Sequence, residues 1–122
     1  MDTPVFADPQ RLTIDVTEHP GGTVVHVLGE LDHDTTEELQ EALGQVLERR
    51  GGGHLVIDCA AIAFCDSSGL NTLLRTRHRA HEQQRPLTLA APSRAMLRLL
   101  QITGADAALD TTPTVAEALT TL

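Results

Sequence analysis

A chain of 122 residues is read as one domain over residues 1–122, long enough for a single core and too short for two. Nine basic residues against 17 acidic ones give a formal charge of −8, a balance that argues against nucleic acid and anionic membranes as partners, because both need a basic surface. All nine basic residues are arginine, which excludes a P-loop, a Schiff base and the lysine of a response-regulator receiver. An aromatic content of 2% leaves no material for a base-stacking platform.

In chain order, residues 1–10 contain Pro4 and Pro9 without periodicity and read as a loose arm. Leu12, Ile14 and Val16 alternate with polar residues, as a half-buried strand does. His19-Pro20-Gly21-Gly22 supplies a turn, and Thr23 to Leu31 returns as a second strand, making a hairpin. Asp34, Thr35 and Thr36 before Glu37 and Glu38 predict a capping box. The helix it opens carries one apolar stripe, Leu39, Ala42, Leu43, Val46 and Leu47; Arg49 and Arg50 complement its C-terminal dipole, and Gly51-Gly52-Gly53 ends it.

The run Leu55–Ile57 with Cys59–Ala61 reads as a strand buried on both faces. Asp66-Ser67-Ser68-Gly69 then leads into a helix to about Gln84, with the serines as the residues that satisfy its free N–H groups. Pro86 opens a strand over Leu87 to Ala91. Pro92-Ser93 starts a helix with Met96, Leu99 and Leu100, stopped by Gly104. An edge strand is expected at Ala107 to Asp110, and Val115, Ala118, Leu119 and Leu122 make a last amphipathic helix.

Strands alternating with helices imply a mostly parallel sheet, with the hairpin adding an antiparallel pair. Sites in such sheets lie at the C-terminal ends of strands. The stretches Gly29–Asp34 and Cys65–Gly69 follow two such ends, so they can meet in space.

Several chemistries fail on these residues. Ser67 has Cys65 and Ser68 has Asp66 where a hydrolase elbow needs glycine, and no spacing links any of the histidines to the serines. Asp58, read as a polar residue at a strand end bonded to nearby backbone, lacks the acidic pair and the lysine of a phosphoaspartate site. Cys59 with Cys65, and His78 with His81, have no second pair to complete a metal site, and no cofactor is expected. With neither a signal peptide nor a long apolar span, the cysteines read as reduced thiols in a cytoplasmic protein. Arg75, Arg77, His78 and Arg79 form a basic cluster, read either as a solvated helix end or as a contact patch for an acidic partner.

What remains is a serine phosphoacceptor. A phosphate on Ser67 adds roughly 1.5 to 2 negative charges at pH 7 in one step. A helix N-terminus tolerates it, so the switch acts on surface recognition. Asp66, and Asp32 if the two stretches meet, would repel the phosphate or orient the hydroxyl beforehand. The alternative is a serine that merely starts a helix.

Two motifs, GELDHDT over Gly29–Thr35 and FCDSSGL over Phe64–Leu70, together with the order of elements from Leu12 to Leu122, resemble the STAS family and within it the bacterial anti-sigma factor antagonists. The resemblance implies an α/β STAS fold, a small mixed, mostly parallel sheet of four to five strands with about four helices mainly on one side. It also implies a regulator and not an enzyme. The unphosphorylated antagonist binds an anti-sigma factor with ATP-dependent serine kinase activity and frees a sigma factor; the kinase then phosphorylates the antagonist, and a PP2C-type phosphatase restores it. In the family pattern the acceptor falls on Ser67 and the aspartate of the first motif on Asp32. Asn71 stands where many antagonists carry glycine, a departure that bears on partner identity. The expected partner surface is Asp32, His33, Asp66, Ser67, Ser68, Gly69, Leu70 and Asn71. The rival is a STAS scaffold or sensor that binds a protein or small ligand without phosphorylation; an apolar pocket away from Ser67 would favour it.

Overall fold

The computed structural model describes residues 11–49 and 53–120. The expected arm over residues 1–10, the parts of Arg50, Gly51 and Gly52 in a helix end, and Leu122 lie outside them. Along the chain run β1 (Leu12–His19), β2 (Gly22–Leu31), α1 (Thr36–Glu48), β3 (His54–Cys65), α2 (Ser67–Glu82), β4 (Leu87–Ala90), α3 (Arg94–Thr103), a 3-10 turn (Ala105–Ala107), β5 (Asp110–Thr112) and α4 (Val115–Thr120). The five strands form one sheet in sequence order. The hairpin is antiparallel, from His19 opposite Gly22 outward to Leu12 opposite Gly29. The other neighbouring pairs are parallel.

Period-2 alternation sorts the side chains between two faces. On one face Val25, Val27, Leu31, Leu55, Ile57, Leu87 and Leu89 pack with the apolar stripes of α1, α2 and α3, through Leu39, Leu43, Leu73, Met96 and Leu100. On the other, Val24, Val56 and Ala90 lie under α4 and its Ala118. Helices thus cover one face almost fully and the other only in part. On the second face Leu28 is 41% exposed.

Several local expectations are corrected. α1 has no capping box: its cap residue Thr35 makes no side-chain cap bond. Its hydroxyl instead donates to the Glu30 carbonyl at 2.8 Å and accepts from the Asp32 N–H at 3.0 Å, tying the preceding turn. Arg49 lies at the C-cap and pairs with Glu18 across to β1. β3 continues to Cys65 because its far half pairs with the end of β2. Asp58 is therefore inside the strand and not at its end. It accepts the Ala60 N–H at 3.1 Å and meets His26 Nδ1 at 2.8 Å. The last strand begins at Asp110, not Ala107, because Ala105–Ala107 closes a 3-10 turn and Leu109 N–H bonds to the Ala105 carbonyl. Ser93 caps α3, and Gly104 ends it, as expected, in the left-handed region.

Candidate functional site

β2 and β3 end side by side. Leu31 is paired with Cys65, and the Asp66 N–H donates to the Leu31 carbonyl at 3.0 Å. The turn after β2 and the start of α2 are therefore neighbours, as their positions at strand ends anticipate. Close approach is enforced at Gly69, where a Cβ would stand 2.7 Å from both the Leu31 carbonyl oxygen and the Leu31 Cβ. Only a residue without a side chain lets the first turn of α2 sit this near β2.

The cap of α2 is Asp66, not a serine. Its Oδ1 accepts the N–H groups of Ser68 at 2.9 Å and Gly69 at 3.1 Å. A carboxylate here satisfies two orphan donors and meets the positive end of the helix dipole. The serines are thereby released from capping. Ser67 is exposed and its hydroxyl makes no hydrogen bond among the described residues, so Asp66 does not orient it. Ser68 is half-buried, and its carbonyl accepts the Thr72 hydroxyl at 3.2 Å. No histidine bonds to either serine, which removes the geometry a serine hydrolase needs.

On the neighbouring turn, Asp32 is tightly held. Its Oδ1 accepts the Asp34 N–H at 2.9 Å, and Arg11 forms an ion pair with its Oδ2. Arg11 also reaches Glu30 Oε1 at 3.1 Å and Asp34 Oδ2 at 3.2 Å. Hydrogen bonds to Glu30 and Asp34, then the Asp32 charge, push its pKa up. Reading the sequence alone misses this clasp, although the hairpin carries the signal: antiparallel pairing outward from His19 and Gly22 sets Arg11 opposite Glu30. His33 is exposed beside it.

Of the expected partner surface, then, Asp32, His33, Asp66, Ser67, Ser68 and Asn71 come together at an accessible end of the sheet. Gly69 and Leu70 do not: both are buried, Leu70 at 3% exposure in the core. Each residue turns a helix by about 100°, so an apolar side chain three positions after an exposed serine can face inward. These two position the site from below.

Cys65 precedes the site half-buried; burial, then the Asp66 charge, pushes its thiol up to about 11. Cys59 lies buried in the core, where desolvation raises its thiol further still. Among the described residues no group of three or more His, Cys, Asp or Glu side chains is arranged to hold a metal ion. No helix among them is long and apolar enough to cross a membrane. A groove of about 660 Å³ lies at the opposite end of the parallel strands, lined by charged Arg77, Glu82 and Asp110 and by apolar Pro86, Leu87 and Ala108 among others.

Residues 14–113 match the family described as Mlab, STAS domain. The anti-sigma F factor antagonist of Paenibacillus polymyxa is 28% identical over 94 residues, which cover 77% of this chain and 80% of that protein. The anti-sigma-B factor antagonist of Staphylococcus epidermidis is 34% identical over 95 residues, 77% of this chain and 86% of the relative. Among solved structures, the crystal structure of an anti-sigma factor antagonist from Mycobacterium paratuberculosis superposes with a TM-score of 0.81 at 33% identity, covering 93% of this chain and 96% of that one. The unphosphorylated SpoIIAA structure, at 19% identity and a TM-score of 0.73, shares the fold. By its sequence match over most of its length and by its five-stranded sheet, the chain belongs to the STAS domain family, which includes the bacterial anti-sigma factor antagonists.

Proposed function

We propose that this protein is an anti-sigma factor antagonist switched by phosphorylation of Ser67. In this reading the unphosphorylated form binds an anti-sigma factor with ATP-dependent serine kinase activity, which releases a sigma factor. Phosphate on Ser67 ends that complex and a PP2C-type phosphatase renews it. The protein acts in the cytoplasm as a kinase substrate and performs no catalysis itself. The partner surface is Asp32, His33, Asp66, Ser67, Ser68 and Asn71.

One observation carries the reading. Asp66 takes over the capping of α2 and leaves an exposed Ser67 at the helix N-terminus with a hydroxyl free of hydrogen bonds among the described residues. A kinase can reach such an oxygen without unfolding anything. The names of the relatives support the same class of partner. A scaffold or sensor that holds a small ligand calls for an apolar cavity, and the groove of about 660 Å³ mixes charged with apolar side chains.

The test is intact-mass analysis after incubation with ATP and the anti-sigma factor kinases of the source organism, followed by site mapping. A single added phosphate on Ser67, absent in Ser67→Ala, with Ser67→Ala remaining bound to the kinase, is the expected result. No phosphate with any of these kinases would overturn the switch and turn the reading toward a scaffold.

A further inference from the structure

Beyond Ser67, α2 carries a second feature that the switch does not use. Ser68, Thr72, Arg75 and Arg79 follow one another at i, i+4, i+7 and i+11, one stripe of the helix. The stripe faces a groove of about 270 Å³ between α1 and α2, lined by Gln40, Thr72, Arg75, Thr76 and Arg79. The hydroxyls of Thr72 and Thr76 are already committed, to the carbonyls of Ser68 at 3.2 Å and Thr72 at 2.8 Å. The two guanidinium groups are not: both side chains are exposed, and neither makes a hydrogen bond or ion pair among the described residues.

Arg77, Arg94 and Arg98 are likewise without an ion pair among the described residues, but of these five arginines only Arg75 and Arg79 line this groove. Glu37, Glu38 and Glu41 line a separate groove on the flank of α1 with Ala42 and Gln45, and none of them pairs with Arg75 or Arg79. Arg11 and Arg49, by contrast, are both paired with carboxylates. Arg79 also approaches α1 at Gly44, where an alanine Cβ would stand 3.5 Å from Arg79 Nη1. The Arg79 guanidinium thus lies against the middle of α1.

We infer that this groove is a docking site for an acidic segment of the anti-sigma factor, whose carboxylates meet Arg75 and Arg79 while its kinase site meets Ser67. The inference rests on the proposed function for the identity of the partner. Geometry connects the two ends: at about 1.5 Å per residue, Arg75 lies about 12 Å along α2 from Ser67, within reach of one continuous partner surface. Charge complementarity names the occupant. Planar, permanently charged arginines hold carboxylates bidentately, and such pairs raise both the rate of encounter and the choice of partner.

The experiment measures binding of the anti-sigma factor that phosphorylates Ser67 to the full chain, at about 50 and about 200 mM salt, where screening differs strongly. Arg75→Glu/Arg79→Glu should bind at least about tenfold more weakly and lose most of the salt dependence. Arg94→Glu/Arg98→Glu, the same charge change on exposed positions of α3, should bind within about twofold of wild type. Far-UV circular dichroism checks folding, and Arg75→Gln/Arg79→Gln replaces the reversal if that variant unfolds. Equal weakening by both glutamate pairs, or unchanged binding by the α2 pair, would overturn the groove while leaving the Ser67 switch standing. An anti-sigma factor that never binds wild type overturns the proposed function and the groove with it.

Discussion

Two glycines in helices should respond to alanine in opposite directions, and the difference tests how α2 is seated. At Gly69 the new Cβ meets the Leu31 carbonyl oxygen and Cβ at 2.7 Å and the carbonyl carbon at 3.1 Å. That oxygen also accepts the Asp66 N–H at 3.0 Å, so it cannot retreat without loosening the bond that joins the ends of β2 and β3. Overpacking of this kind costs about 1–3 kcal/mol, and the better helix propensity of alanine returns at most about 1 kcal/mol. A net loss of about 1–2 kcal/mol follows, which at a urea m-value of about 1–3 kcal/mol/M lowers the midpoint by roughly 0.3–2 M. At Gly44 the nearest atom, Arg79 Nη1, stands at 3.5 Å, ordinary contact with the end of a flexible side chain. Gly44→Ala should therefore gain about 0.5–1 kcal/mol. Urea unfolding of both variants followed by circular dichroism decides the matter. A Gly69→Ala midpoint at or above wild type would refute the close approach of α2 to β2.

Further outcomes follow from the same contacts. Asp66→Ala removes the acceptor of two N–H bonds and should cost about 1 kcal/mol, while Asp66→Asn keeps most of the cap; equal losses in urea unfolding would show that capping is not its role. His54 is buried, with Nε2 bonded to Thr88 at 2.7 Å and Nδ1 unpartnered among the described residues, and burial lowers its pKa from 6.5 against a smaller opposing effect of Asp110. The unfolded chain therefore takes up a proton that the folded chain refuses. Stability from this group is whole above pH 6.5 and falls away as the solution is acidified below it. Between about pH 7 and 5 wild type should lose more unfolding free energy than His54→Gln, and parallel curves would contradict this. Cys59 and Cys65 should both label slowly with a thiol reagent at neutral pH in the native protein, since burial disfavours both thiolates; rapid labelling of either would oppose the burial seen here.

What the sequence makes legible is what local pattern decides. Alternation and helical stripes give the element order, and the two motifs at strand ends locate the candidate site, because a parallel sheet gathers those ends together. Interactions that span the fold are the ones missed. Arg11 on Asp32, His26 on Asp58, and Arg85 on the Gly53 and Val46 carbonyls join residues far apart in sequence. Composition cannot forecast which charged groups such pairs will take. The same competition explains the caps. Thr35 sits where an N-cap is expected, yet the Glu30 carbonyl and the Asp32 N–H claim its hydroxyl. At α2 the aspartate outcompetes the serines, which is what frees Ser67.

On the proposed function, that release also bears on how a charge at Ser67 is read by a partner without disturbing the fold. Both carboxylates near it are already engaged, Asp66 by backbone N–H groups and Asp32 by Arg11 and the Asp34 N–H. An added negative charge gains about 0.3–1 kcal/mol from the helix dipole. Repulsion from a neighbouring carboxylate in water is about 1 kcal/mol at close range. These effects nearly cancel while the site is solvated. In a complex the water leaves, and a like-charged or unpaired group then costs several kcal/mol. Ser67→Asp should accordingly unfold within about 0.5 kcal/mol of wild type yet bind the anti-sigma factor at least about tenfold more weakly. Urea unfolding and a binding titration on the same preparation separate the two effects. A variant that lost as much stability as affinity would place the switch in the fold itself and not on its surface.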